Sequence, residues 1–284
     1  MARILPIATV MEGEGFLVHR PFPTRALSHI DPFLLLDEFG PANFAPGEAK
    51  GTGVHPHKGF EILSYILKGG FEHQDSLGNR VVLQEGDVQW MTAGRGILHK
   101  EQPIEAVKKN GGTMHGFQVW VNLPASKKHI APGYQEIRAQ AIPTFTDLAH
   151  HFKVKVIIGE AFGVRSPIQT QTPIEYHHYF LAPQALVEIP LNRMHNAFLY
   201  PVAGTITIND HIPITRGQLP VLGKDGDWVR IRNLSETESE FIFFSGKPLG
   251  EPVARYGPFV MNTELELAQA VLEYQQGIMG YLEE

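Results

Sequence analysis

His55, Pro56 and His57 put two imidazoles two residues apart, and 42 residues further on His99, Lys100 and Glu101 repeat the spacing with one imidazole and one carboxylate. In an extended strand, residues i and i+2 face the same side, roughly 6.6 Å apart along the chain. Two imidazoles so spaced can tilt toward one metal ion, whereas neighbours on a strand face opposite sides. Two such pairs on two strands make a clamp of His55, His57, His99 and Glu101. A single His-x-His pair is a weak signal, because 14 of the 284 residues are His. Two pairs within one uninterrupted run of strand and turn signals are far more specific. The set offers only nitrogen and oxygen, and a chain without Cys has no thiolate ligand, disulfide or thiol nucleophile. Fe(II), Mn, Co, Ni, Cu and Zn all accept such ligands. Four protein ligands leave positions open on a six-coordinate ion, which suits catalysis better than a closed structural site.

Spacing leaves the carboxylate undecided. Glu61 shares strand parity with His55 and His57, so it rivals Glu101. If it is not a ligand, it can still orient an imidazole by accepting its N–H. His115, alone in Thr-Met-His-Gly-Phe, is expected to be a strand histidine with a local partner. The adjacent pairs His150-His151 and His177-His178 cannot chelate as a His-x-His pair does.

The elements that must carry these residues are short. Apolar runs are punctuated by 28 Gly and 21 Pro spread along the chain, the pattern of a barrel or sandwich. Strands are expected over 62–67, 71–73, 81–83, 88–91, 97–101 and 113–122. Turns fall at Gly69-Gly70, at 75–79 and at Glu85-Gly86-Asp87, and no interval reads as a helix. Antiparallel closure into a barrel or jelly roll protects the edges of such a run. Residues 124–150 read as a connector. A second series follows over 152–158, 176–181, 197–202, 205–208, 228–233 and 240–244. In it Ala203-Gly204 repeats the place of Lys68-Gly69. Near the end, Thr263 and Glu266 form a possible capping box. Leu267, Ala270, Val271 and Tyr274 then make a helical stripe, which Gly277 ends.

Several classes are disfavoured. A net charge of −6 gives no broad basic face for nucleic acid. The start MARILPIATVMEGEGF lacks the apolar core of a signal peptide. No run approaches 18 apolar residues, so no membrane span is expected. The cytoplasm is the expected location.

Residues 53–102 read GVHPHKGFEILSYILKGGFEHQDSLGNRVVLQEGDVQWMTAGRGILHKEQ. This text resembles the pirin family of the cupin superfamily. The blocks DPFLLLDEFG (31–40), DVQWMTAGRGILHKE (87–101) and ARYGPFVMNT (254–263) are similar to pirin signatures too. The resemblance spans nearly the whole chain and thins between about 125 and 165. Thr92, where the general cupin pattern commonly has Pro, is itself pirin-like. The resemblance implies an all-β chain of two cupin-type jelly-roll barrels with a short C-terminal helix. It implies a metal-binding barrel over 1–135 and a diverged one over 136–284. It implies one divalent metal per chain, Fe(II) in kind, on His55, His57, His99 and Glu101. The second barrel is expected to lack metal: Met194-His195-Asn196 and 224–227 stand where its ligand pairs belong, and neither carries two imidazoles. The activity implied is that of a quercetin 2,3-dioxygenase, which opens the central ring of a flavonol with dioxygen and releases carbon monoxide. Glu101 is the expected base. The other implied reading is a metal- or redox-dependent regulator that binds transcription factors or metabolic enzymes. Phe60, Trp90, Met91 and Phe117, near the motifs, are expected to be core.

Overall fold

The computed structural model describes residues 3–12, 16–149 and 151–283. The Gly-punctuated apolar runs are strands: Phe60–Lys68, Gly70–Asp75, Arg80–Gln84, Val88–Thr92, Ile97–Pro103 and Gly112–Asn122 in the first series. Gly69, at φ +78°, bends the chain from the first of these strands into the second, which lies in another sheet, and a Cβ there would lie 2.7 Å from the Thr113 carbonyl. Within this series one element departs from expectation, and the stretch 124–150, read as a connector, also holds the strands Gly133–Ile137 and Thr144–Thr146. A short helix, Glu105–Asn110, occupies an interval read as helix-free, and Val107 is its only buried residue. Six residues with one apolar anchor show no periodicity to read.

The chain forms two compact units, neither contiguous in sequence. One takes residues 9–140 and 249–284; the other takes the N-terminal strand Arg3–Pro6 with residues 141–248. In the first unit, a four-stranded sheet runs His55–His57, Ile97–Pro103, Gly70–Asp75, Arg80–Gln84. Its seven-stranded companion centres on Val88–Thr92, Phe60–Lys68, Gly112–Asn122 and Phe33–Phe44. The second unit repeats both sheets strand for strand, with Leu186–Pro190, Trp228–Asn233, Thr205–Ile208 and Ile212–Thr215 as its four-stranded sheet. The chain is therefore all-β with two jelly-roll barrels and a short C-terminal helix. The edge strands show how the termini are exchanged. Gly133–Ile137 pairs with Val88–Thr92 in the first barrel, whereas the equivalent edge of the second is closed by Arg3–Pro6 on Gln218–Val221. A division at 135/136 assumes contiguous halves and accommodates neither terminal exchange.

The C-terminal helix, Glu264–Gln275, starts on the capping box of Thr263 and Glu266. Its Leu267 and Ala270 pack with Leu98, Phe259 and Met261. Side chains alternate along a strand, so Leu98 faces this helix while its neighbour His99 faces the barrel interior. Two buried lysines tie the same region together. Lys58, next to His57, pairs with Glu273 of the helix. Lys128 Nζ donates to the Gly59 carbonyl (2.7 Å), Asn122 Oδ1 (2.7 Å) and the Val260 carbonyl (2.9 Å).

Candidate metal centre

Antiparallel pairing sets His99 directly opposite His55, and Ile97 opposite His57. With i, i+2 alternation the three imidazoles converge, their ring centres 4.3 Å (His55–His99), 4.8 Å (His55–His57) and 4.8 Å (His57–His99) apart. One nitrogen from each lies within 4.8 Å of the others. Burial strips water from His57 and His99, and the nearby His55 adds repulsion; both pKa values are held well below the usual 6.5. Neutral imidazoles keep the lone pairs that a metal needs. His57 Nδ1 and both ring nitrogens of His99 are buried without a hydrogen-bond partner. Such orphaned atoms cost stability, and a metal ion would satisfy them. His55 Nδ1 donates to the Gly53 carbonyl at 2.8 Å, leaving its other nitrogen as the lone-pair donor. The residues present fit a transition metal.

Glu101 enters differently. Its strand neighbour across the sheet is His73. Its Oε1 accepts from Gln89 Nε2 at 2.6 Å and Ser64 Oγ at 3.4 Å, and its Oε2 from Gln118 Nε2 at 3.5 Å. The carboxylate groups with His99 and His73, all three ligand atoms within 4.8 Å, and stands outside the three-histidine group. Glu61 is turned into the core, where its Oε1 accepts from Trp90 Nε1 (3.0 Å) and Thr92 Oγ1 (2.7 Å). The parity argument for Glu61 does not carry because the strand ends at His57 and the chain turns at Gly59, whose φ is +90°. His55–His57 and Phe60–Lys68 then run in different sheets. A Cβ at Gly59 would sit 1.9 Å from the Val260 carbonyl.

The other histidines have local surroundings. His115 Nε2 lies 2.8 Å from Glu38 Oε1. His177 faces Glu175 and His178 faces Glu240. His150 lies outside the described residues. Phe60, Trp90, Met91 and Phe117 are all buried.

A cavity of about 620 Å³ opens onto His55, His57 and Glu101. Val18, Leu35, Phe39 and Trp120 give it apolar walls. Trp120 stacks on Phe60 with ring centres 4.3 Å apart, and the Arg255 guanidinium lies 4.8 Å above the Trp120 ring. Arg20 and Asp37 form a bidentate pair on another wall, at 2.6 and 2.5 Å. Sequence reasoning missed Arg20, Asp37, His73, Arg255 and Pro258. The only local signal for His73 is its i, i+2 relation to Asp75. Arg255 and Pro258 reach the cavity from a segment some 150 residues from the motifs, and no spacing rule reaches that far.

The second barrel answers the first position by position. Gly69 (φ +78°) and Gly204 (φ +77°) turn the chain from one sheet into the other at equivalent places. Following the sheet registers from them, Ile208 takes the place of His73, and Val229 and Ile231 those of His99 and Glu101. Ile189 and Leu191 fall where His55 and His57 stand. All five belong to one apolar cluster. The ligand-pair positions therefore lie at 189/191 and 229/231, not at 194–196 and 224–227 as the sequence reading had them. Among the described residues, both groups able to hold a metal lie in the first unit.

Two jelly-roll barrels of one topology, a histidine cluster in the first and aliphatic side chains in the second, define a two-domain cupin. The chain matches the family described as Pirin over residues 15–121 and the Pirin C-terminal cupin domain over 176–280. It belongs to the pirin family. It is 39% identical to human Pirin over 274 residues, covering 95% of this chain and 90% of that protein. With Pirin-like protein 2 of Arabidopsis thaliana the identity is 39% over 279 residues, 95% of this chain and 82% of the relative. A crystal structure of quercetin 2,3-dioxygenase from Acinetobacter baumannii superposes with a TM-score of 0.91 at 32% identity, covering 100% of both chains. A bacterial pirin from Escherichia coli in complex with nickel(II) shares the fold, with a TM-score of 0.68 at 20% identity over 87% of this chain and 100% of that one. Among the described residues no helix is long and apolar enough to cross a membrane.

Proposed function

We propose that the first barrel holds a divalent transition metal, Fe(II) by family resemblance, on His55, His57 and His99, with Glu101 as carboxylate ligand. We propose that it acts there as a dioxygenase on a flavonol such as quercetin. The observation that carries this reading is the cluster of three imidazoles, with orphaned nitrogens, opening onto a largely apolar cavity. Its volume, about 620 Å³, falls in the range of small-molecule sites. The full-length similarity to a quercetin 2,3-dioxygenase supports the substrate class.

A bound metal supplies Lewis acidity at the substrate's oxygens and a means of engaging dioxygen. The chain's own residues do the rest. Trp120, Phe39, Leu35 and Val18 offer flat and aliphatic surface to the rings and exclude water from them. Glu101, steadied by Gln89 and Ser64, accepts the proton of the flavonol 3-hydroxyl as general base. The neutral, buried His57 and His99 stay available as ligands rather than as proton carriers.

The test follows loss of the flavonol absorbance band together with oxygen uptake and carbon monoxide release, using iron-loaded protein. Wild type should show all three; His55→Ala should show none, and Glu101→Gln should lose most of the rate. If metal-replete wild type shows none above the metal-free protein, the flavonol reading fails. The regulator reading then takes its place, with metal-dependent capture of a protein partner as its measure.

A further inference from the structure

We infer that His73, His99 and Glu101 form a second metal position, behind the three-histidine position and sharing His99 and the Glu101 carboxylate with it. The inference goes beyond the proposed activity and does not depend on the substrate.

Three observations point there. First, the ligand atoms of His73, His99 and Glu101 converge within 4.8 Å, as closely as those of the three histidines. Second, His73 is fully buried and its Nδ1 has no hydrogen-bond partner, nor has either nitrogen of His99. Third, His73 is held as a metal-ligating histidine is held. Its Nε2 faces Asp75 Oδ2 at 3.2 Å, which leaves Nδ1 as the lone-pair side. Asp75 is itself fixed: Oδ1 accepts from the Leu77 and Asn79 backbone N–H groups (2.9 and 3.1 Å), and Oδ2 from Asn79 Nδ2 (2.8 Å). Tyr134 stacks on the His73 ring with centres 4.9 Å apart, fixing its plane. Behind Glu101, Gln89 and Ser64 complete the support.

The two positions differ in access. His55 and His57 line the cavity, whereas His73 and His99 do not; only Glu101 of the inner set reaches it. Two histidines and one carboxylate are also the donor set that suits Fe(II), while a set of three histidines suits zinc as well. A single carboxylate serves the whole group, so two dications placed on either side of His99 would repel with little to offset them. The positions are therefore alternatives for one ion: an outer one that meets a substrate in the cavity, and an inner one that withdraws the metal from it.

Full-length protein carrying His55→Ala and His57→Ala tests this with Co(II) alone as probe, read by its visible absorption and by elemental analysis. The double variant should still bind one Co(II) per chain, because His73, His99 and Glu101 are all intact. Anomalous scattering should place the ion between His73, His99 and Glu101. Adding His73→Gln should abolish the binding. A double variant that binds no Co(II), or a triple variant that binds as well as the double, overturns the inference. A second measurement leaves the outer histidines intact. Chelator should strip Co(II) from wild type in a fast and a slow phase, and His73→Gln should remove the slow one; identical release from both proteins overturns the inference. Absence of flavonol oxidation by wild type bears on the proposed activity and leaves these readouts untouched.

Discussion

Gln89 Nε2 lies 2.6 Å from Glu101 Oε1, the shortest of the bonds that orient that carboxylate. The same amide nitrogen is 3.1 Å from Ser64 Oγ, and Gln89 Oε1 accepts from the Tyr134 hydroxyl at 3.2 Å. One buried amide thus connects the carboxylate beside His99 to the aromatic ring that covers His73. Gln89→Leu should leave the histidines in place and release Glu101. Metal affinity is expected to fall about 10–100-fold, as when other groups that orient metal ligands are removed. Competition titration with a chromophoric chelator measures it; unchanged affinity would mean that Glu101 is not a ligand.

Lys58 is almost fully buried beside His57, and its ammonium pairs with Glu273 on the C-terminal helix. Removing one partner of a buried pair leaves an uncompensated charge, at a cost of ~3–5 kcal/mol. Glu273 keeps some exposure, so Glu273→Ala should fall near the lower end. Urea unfolding should show a lower midpoint, and metal loading should fall with it, because Lys58 joins the His55–His57 strand to the next. A variant as stable as wild type would remove the helix from the account of the site.

Burial lowers the pKa of Lys128 from 10.5 to about 8. Between these values the unfolded chain binds more protons than the folded one, so this group's contribution to stability rises with pH, by at most ~1.4 kcal/mol per pH unit. Its burial penalty is full below about 8 and gone above 10.5. The difference in unfolding free energy between wild type and Lys128→Met should therefore move in favour of wild type from pH 8 to 10. At neutral pH Lys128→Met should still be destabilised by about 1–3 kcal/mol or more, because three buried acceptors lose their donor. A pH-independent difference would show that Lys128 does not titrate in this range.

His99 belongs to both ligand groups. In the second barrel the equivalent position is Val229, surrounded by Ile189, Leu191, Ile208 and Ile231. His99→Ala should thus abolish specific metal binding by the whole chain, not merely halve it. Residual stoichiometric metal, measured by elemental analysis after dialysis, would place a site in the second barrel.

The residue types and their i, i+2 spacing were legible because both are local. A strand's alternation brings His55 and His57 to one side whatever surrounds them. The same holds for the strand runs, for the glycines at Gly69 and Gly204, and for the Thr263–Glu266 cap, each read from a few neighbouring residues. What local pattern could not supply was register and partner. Parity made Glu61 equal to Glu101 until the chain broke at Gly59 and sent the two strands into different sheets. His73 came to Glu101 only through cross-strand pairing. Arg255 and Pro258 came through a C-terminal segment that packs on the first barrel, and Arg3–Pro6 through an edge of the second barrel that a distant strand had to close. Periodicity records which face of an element is buried, but hydrogen-bond pairing between segments far apart in sequence is settled only when those faces meet.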